Sequence, residues 1–150
     1  MELWELCARE RIRDTIAGYN WSGDAMRLDE LADSFCEDGV LELRGGAPVH
    51  GRAAIVDFLG GAVAAPIAAV AASSTRRIVR HNVTNVRFLE VTRDEARVAC
   101  YFTVVTEIGL DHYGRYRDVF VPVGSPDGEW LIRHRFVSTD WSSPDSTMAR

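Results

Sequence analysis

The feature that most constrains this sequence is a change of texture at Arg77. Beyond it lie four long segments rich in β-branched and aromatic residues, 78–90, 96–108, 114–123 and 130–141, whereas the chain before it is patterned mainly for helix. Turn-forming stretches at 92–95, 109–112 and 124–128 separate the four segments. These are too short for a parallel crossover, so the four strands are expected to be antiparallel neighbours. Helices first and a meander of long strands afterwards predict an α+β fold, with the helices packed on one face of a curved sheet.

In the N-terminal part, Leu3, Leu6, Cys7, Ile12, Ile16 and Tyr19 recur at three- and four-residue steps among charged residues. The spacing predicts an amphipathic helix over 3–20, with Tyr19 turned inward at its end and Trp21-Ser22-Gly23 breaking it. Asp24 is then placed as the N-cap of a second short helix carrying Leu28, Leu31, Ala32 and Phe35. A hairpin of Val40 to Leu43 with a strand around Val49, turning at Gly45-Gly46, is expected next. A third helix should run over 51–60, and the alanine-rich stretch 62–75, interrupted by Pro66, should end in a loop. The 150 residues are expected to form one domain.

Charge and cysteine usage remove several classes of function. A net charge of −5 disfavours a general nucleic-acid binder, and Arg76, Arg77 and Arg80 make the only dense basic run, a pattern typical of a solvated strand edge. All 17 basic residues are arginine, which excludes Schiff-base chemistry and a phosphate-loop lysine. Cys7, Cys36 and Cys100 are scattered and odd in number, so neither a disulfide framework nor a zinc knuckle is expected. No apolar run approaches the ~20 residues of a membrane span, and Met1 to Glu5 lacks the basic flank of a signal peptide. The expected location is therefore cytoplasmic.

His81, in Arg80-His81-Asn82-Val83-Thr84-Asn85, is the main candidate for chemistry, because an imidazole exchanges a proton near neutral pH once something orients the ring. Strand alternation puts His81, Val83 and Asn85 on one face, and Tyr116, Asp118 and Phe120 on one face of the third long strand. A pocket enclosed by the curved sheet would be lined by such residues. Asp118 in that setting needs a partner, which Arg115, Arg117, Arg133 or Arg135 can supply across neighbouring strands. His50, His81, His112 and His134 form no HxH or HxxxH pair, so no metal site and no cofactor are expected.

Taken in order, these motifs are similar to those of a known family: Tyr19 and Asp24 at Tyr-x4-Asp spacing, Phe35-Cys36-Glu37-Asp38-Gly39-Val40, Gly51-Arg52-Ala53-Ala54-Ile55, the His81 stretch, Gly114-Arg115-Tyr116-Arg117-Asp118, and the last strand from Trp130 to Trp141. Over nearly the whole chain the sequence resembles the SnoaL-like branch of the nuclear-transport-factor-2-like superfamily. The resemblance implies a cone-shaped, curved antiparallel sheet with three N-terminal helices around a deep pocket. It also implies that Tyr19, Asp24 and His81 match the tyrosine, aspartate and histidine of scytalone and bile-acid dehydratases, and that Asp24 with His81 resembles the dyad of lindane dehydrochlorinase. Asp118 falls near a polar pocket residue of scytalone dehydratase.

Departures from the pattern narrow the substrate. Leu43 stands where ketosteroid isomerases carry their carboxylate base, and Thr103-Val104-Val105-Thr106 lacks the acid of the bile-acid dehydratases. The expected activity is that of a cofactor-independent lyase or isomerase acting on a small, mostly apolar cyclic or polyketide-like molecule. His81 is then the base, Asp24 its orienter, Tyr19 the oxyanion donor, and Asp118, Tyr116, Asn85 and Phe120 pocket residues. Two alternatives stay open: a non-catalytic module such as a ring-hydroxylating dioxygenase small subunit or a ligand-binding protein, and epoxide-hydrolase-like chemistry built on an Asp-Arg-Asp set. A homo-oligomer, dimer or trimer, is the expected assembly.

Overall fold

The computed structural model describes residues 1–61, 77–146 and 148, so the expectations for 62–75 and for Arg76 lie outside the described residues. Helix α1 spans Leu3–Asp24, α2 Leu28–Asp33, and residues 52–61 are helical and are called α3. Six strands follow the order β2-β1-β6-β5-β4-β3 in one sheet: β1 Phe35–Leu43, β2 Val49–His50, β3 Val79–Val91, β4 Ala96–Thr106, β5 Gly109–Pro122 and β6 Trp130–Ser142. The four long strands pair antiparallel as expected, and β1 joins β6 in parallel, which makes the sheet mixed. No helix among the described residues is long and apolar enough to cross a membrane.

Helix α1 runs past the expected stop. Its buried stripe is Ala8, Ile12, Ile16 and Tyr19 with Asn20 and Ser22, while Leu3 and Leu6 face solvent. Trp21-Ser22-Gly23 continues the helix, and the chain leaves it through a Schellman turn. Arg27 N–H donates to Ser22 O at 2.9 Å and Met26 N–H to Gly23 O at 3.0 Å, with Met26 at φ 63°. Asp24 is thus the last helical residue of α1, and the N-cap of α2 is Arg27. The helix expected around Phe35 is shorter, because Phe35 begins β1 and is wholly buried in the core.

The core joins the inner stripe of α1 to Phe35, Leu41, Ile55, Val98, Phe120, Trp130 and Ile132. Phe120 belongs to this packing; it is fully buried and is not among the residues that line the two cavities beside His81. Thr15 Oγ1 donates to Trp130 O at 2.7 Å, which ties α1 to the start of β6.

Two bulges set which strand residues face inward. On β3 the register shifts between Thr84 and Arg87, with Asn85 at φ 53°, so Val86 and Phe88 turn in and Asn85 turns out to solvent. The simple alternation that put Asn85 beside His81 fails at that inserted residue. On β5 the strand starts at Gly109, where a turn was expected, and the register shifts opposite Val104/Val105. Two consecutive residues, Asp111 and His112, are buried there, an arrangement closed to a regular strand.

Candidate active site

Asp24 reaches β3 from the end of α1. His81 Nδ1 lies 2.6 Å from Asp24 Oδ1, and the backbone N–H of His81 donates to Asp24 Oδ2 at 2.9 Å. A carboxylate only accepts, so Nδ1 carries a proton, and in the neutral ring Nε2 is left with its lone pair. Two bonds from one carboxylate to one residue fix both the ring's tautomer and its direction. The carboxylate sits in the last turn of a helix, where the macrodipole disfavours negative charge and no basic residue is present to offset it. The bonds to His81 offset that local conflict.

The imidazole opens into a cavity of about 390 Å³ lined by Tyr19, Leu41, His81, Phe102, His112 and Tyr116. A second cavity of about 210 Å³ shares Tyr19, Leu43, Leu59, His81 and Met148 with it and adds Met26, Leu28, Phe58, Arg77 and Val79. His81 therefore belongs to the walls of both. Tyr19 also borders both, yet among the described residues it makes no hydrogen bond to the Asp24–His81 pair. Burial raises its pKa, and the Arg135 guanidinium, 4.1 Å from its ring centroid, opposes that rise. Tyr19 is a neutral phenol at physiological pH on this account.

Asp118 does not line these cavities. Its two oxygens accept from Arg135 Nε at 2.9 Å and Nη2 at 2.7 Å, in a pair with no exposed side-chain surface. Burial works against the Arg135 charge, but the Asp118 carboxylate outweighs it and holds the guanidinium pKa above its ordinary value. Tyr19 and Tyr116 sandwich the guanidinium, each ring centroid 4.1 Å away. Of the four arginines considered from sequence, Arg135 is the partner, and among the described residues no second carboxylate joins the Asp118–Arg135 pair. Tyr116 does border the cavity, and its hydroxyl donates to Asn20 Oδ1 at 3.3 Å. Asn85 borders a separate concavity with Arg87, Tyr101 and Arg115, away from His81.

A second carboxylate–histidine pair was not foreseen. His112 Nδ1 lies 2.6 Å from Asp111 Oδ1, and the same carboxylate accepts from Ser146 Oγ at 2.7 Å and Thr106 Oγ1 at 3.2 Å. His112 and His81 flank Phe102, whose ring centroid is 5.8 Å from the first and 6.4 Å from the second. Burial lowers the His112 pKa, the Asp111 bond raises it in part, and the charge of His81 lowers it further. An Asp-His dipeptide is the only mark of this pair in the sequence, and the β5 bulge that buries both residues is invisible to a period-two reading.

Cys100 is buried and has no character of a nucleophile. Burial, with Asp118 nearby, pushes the Cys100 thiol up to about 12. His134 is occupied by Glu42 at 2.9 Å across β1 and β6. No group of three or more His, Cys, Asp or Glu side chains suited to a metal ion is present among the described residues.

Solved structures with the same fold support the architecture. A protein from Catenulispora acidiphila, determined in complex with S-DNPA, is 26% identical with a TM-score of 0.70, over 88% of this chain and 92% of that one. A variant of Rv3472 from Mycobacterium tuberculosis, of unknown function, is 26% identical with a TM-score of 0.69, over 93% and 75%. A Novosphingobium aromaticivorans protein provisionally named a scytalone dehydratase shares 23% identity and a TM-score of 0.74, over 95% and 91%, a likeness of fold. No protein with a curated description matches the chain. A family model described as a SnoaL-like domain matches residues 4–136, most of the chain, and the protein belongs to this SnoaL-like family of the nuclear-transport-factor-2-like superfamily.

Proposed function

We propose that this protein is a cofactor-independent lyase or isomerase in which His81, oriented by Asp24, removes a proton from carbon next to a carbonyl group. The observation that carries the reading is the pair of hydrogen bonds joining Asp24 to the ring and backbone of His81, whose side chain borders two cavities. It leaves Nε2 as the one basic atom of the pair aimed at a ligand. In the step, Nε2 takes the proton and the electron pair moves into the carbonyl as an enolate. Tyr19, kept neutral by burial, donates to the enolate oxygen. Collapse of the enolate expels a β-hydroxyl, which takes the proton from the imidazolium and leaves as water; in an isomerisation the proton returns at another carbon.

His112 enters as an acceptor. Kept neutral by burial and with Nδ1–H committed to Asp111, it presents an Nε2 lone pair to a substrate hydroxyl. The base is worth ~10²- to 10⁴-fold and an oxyanion donor about 10²- to 10³-fold, enough for protons already acidified by a carbonyl. The fit is to a small, mostly apolar cyclic or polyketide-like molecule, in keeping with Leu41, Phe102, Leu28 and Phe58 on the walls. Exposed Tyr101, Tyr113 and Trp141 support association with a second copy of the chain.

Proton NMR of cyclic β-hydroxyketones in D₂O tests the activity. The reading requires enzyme-dependent loss of water, or exchange of the C–H beside the carbonyl, that disappears in His81→Ala. Turnover surviving that substitution at the wild-type rate would remove His81 from the chemistry.

A further inference from the structure

The cavity that His81 shares with α2 and α3 contains a cation that no described residue satisfies. Arg77 lies two residues before the start of β3 and four before His81, and Arg77, Val79 and His81 all border the space lined by Met26, Leu28 and Phe58. Arg77 Nη1 is buried and has no hydrogen-bond partner among the described residues. This arrangement is costly. A guanidinium nitrogen withdrawn from water without an acceptor loses solvation that neighbouring methyl and phenyl groups cannot replace. The other two orphaned nitrogens belong to arginines whose charge is already met, Arg115 by Asp140 at 2.9 Å and Arg135 by Asp118 at 2.7 Å. Among the described residues no carboxylate lies within ion-pair distance of Arg77, although it belongs to the run read from sequence as a solvated strand edge. Arg80, from the same run, does fit that description, being exposed with its guanidinium on Val79 O.

We propose that this cavity takes an organic anion, with a carboxylate held by Arg77 and an apolar ring or chain against Met26, Leu28 and Phe58. The inference names the substrate class of the His81 site and so rests on the reading above for its catalytic meaning, but not for the binding itself. The four residue steps from Arg77 to His81 allow at most ~14 Å between their α-carbons. Allowing for the length of the two side chains, a body the size of one or two fused rings spans the gap between a bound carboxylate and the Nε2 atom. Guanidinium and carboxylate match in geometry, and an apolar, partly desolvated setting strengthens the pair.

Isothermal titration with 2-naphthoate and its neutral counterpart 2-naphthamide tests the proposal on the full chain. The expected result is about tenfold or greater preference for the anion. Arg77→Met should abolish the preference, Arg77→Lys should restore part of it, and circular dichroism should show both variants folded. His81→Ala should keep the preference while losing any turnover. Loss of turnover with retained anion preference, or the reverse, thereby separates failure of the base from failure of the anion site. Equal affinity for acid and amide, no binding of naphthoate at millimolar concentration, or an unchanged preference in folded Arg77→Met would overturn it.

Discussion

Two carboxylate–histidine pairs border one cavity, and they are built in opposite ways. In each, Nδ1 lies 2.6 Å from a carboxylate oxygen. Asp24 and His81 come from a helix end and a strand 57 residues apart, with side chains 13% and 19% exposed, whereas Asp111 and His112 are consecutive on β5 with 2% and 10%. Among the described residues Asp24 gives both oxygens to His81 alone. Asp111 divides its oxygens among His112, Thr106 and Ser146, and its backbone carbonyl also accepts from Ser143 at 2.7 Å. The lesson is that an Asp–His distance does not identify a base. The first pair orients a ring that borders both cavities; the second ties the C-terminal turn to the sheet, and burial, against the pull of Asp111, lowers the pKa of its histidine.

The largest expected effects separate the two histidines. His81→Ala should lower kcat/KM by ~10²- to 10⁴-fold on any substrate found, whereas His112→Gln should cost about tenfold, the scale of one neutral hydrogen bond. Steady-state kinetics of both variants checks this, and equal losses would erase the distinction. Asp24→Asn should lower kcat by roughly 10²-fold or more, because an amide can donate to Nδ1 and hold the wrong tautomer. Its melting temperature should move little, since the substitution also removes a charge from the unfavourable end of α1.

Asp111→Asn should do the reverse. Loss of a buried charge serving three side-chain donors should cost about 1.5–3 kcal/mol of stability in urea titration, with a smaller kinetic change than Asp24→Asn. The smallest effect is a pH dependence. The folded His112 pKa lies below its unfolded value, so the unfolded chain binds the proton first as pH falls. Stability should therefore drop as pH is lowered from about 6.5 towards the folded pKa, and rise with pH through the same window. His112→Gln should flatten that slope in urea titrations between pH 5 and 7, while His81→Gln, which removes a charge that lowers the His112 pKa, should weaken the slope without abolishing it.

What the sequence made legible follows from periodicity. The long strands, their antiparallel order and the inner stripe of α1 all repeat at two or near 3.6 residues, and Asp24 and His81 were identifiable through their family-like spacing. Each misplacement traces to a local departure from those periods. Asn85 turns outward at a bulge with positive φ, and Asp111-His112 turns inward at another. Asp24 looked like a helix start because Trp21-Ser22-Gly23 resembles a break, yet the buried Asn20 and Ser22 carry α1 onward to place Asp24 at its end. That shift from cap to terminus is what brings its carboxylate to His81. Asp118 was recognisable as needing a partner, but only the β5–β6 register, Asp118 opposite Arg135, selects one of four arginines.

The most direct test of the central claim is the tautomer of His81, read from the imidazole ¹⁵N shifts of histidine-labelled protein and assigned with His81→Gln. Neutral His81 is predicted to carry its proton on Nδ1 and leave Nε2 bare, with Asp24→Asn moving the proton to Nε2 and His112 unchanged. A wild-type His81 protonated at Nε2, or a tautomer indifferent to Asp24→Asn, would contradict the assignment of Asp24 as orienter and His81 as base.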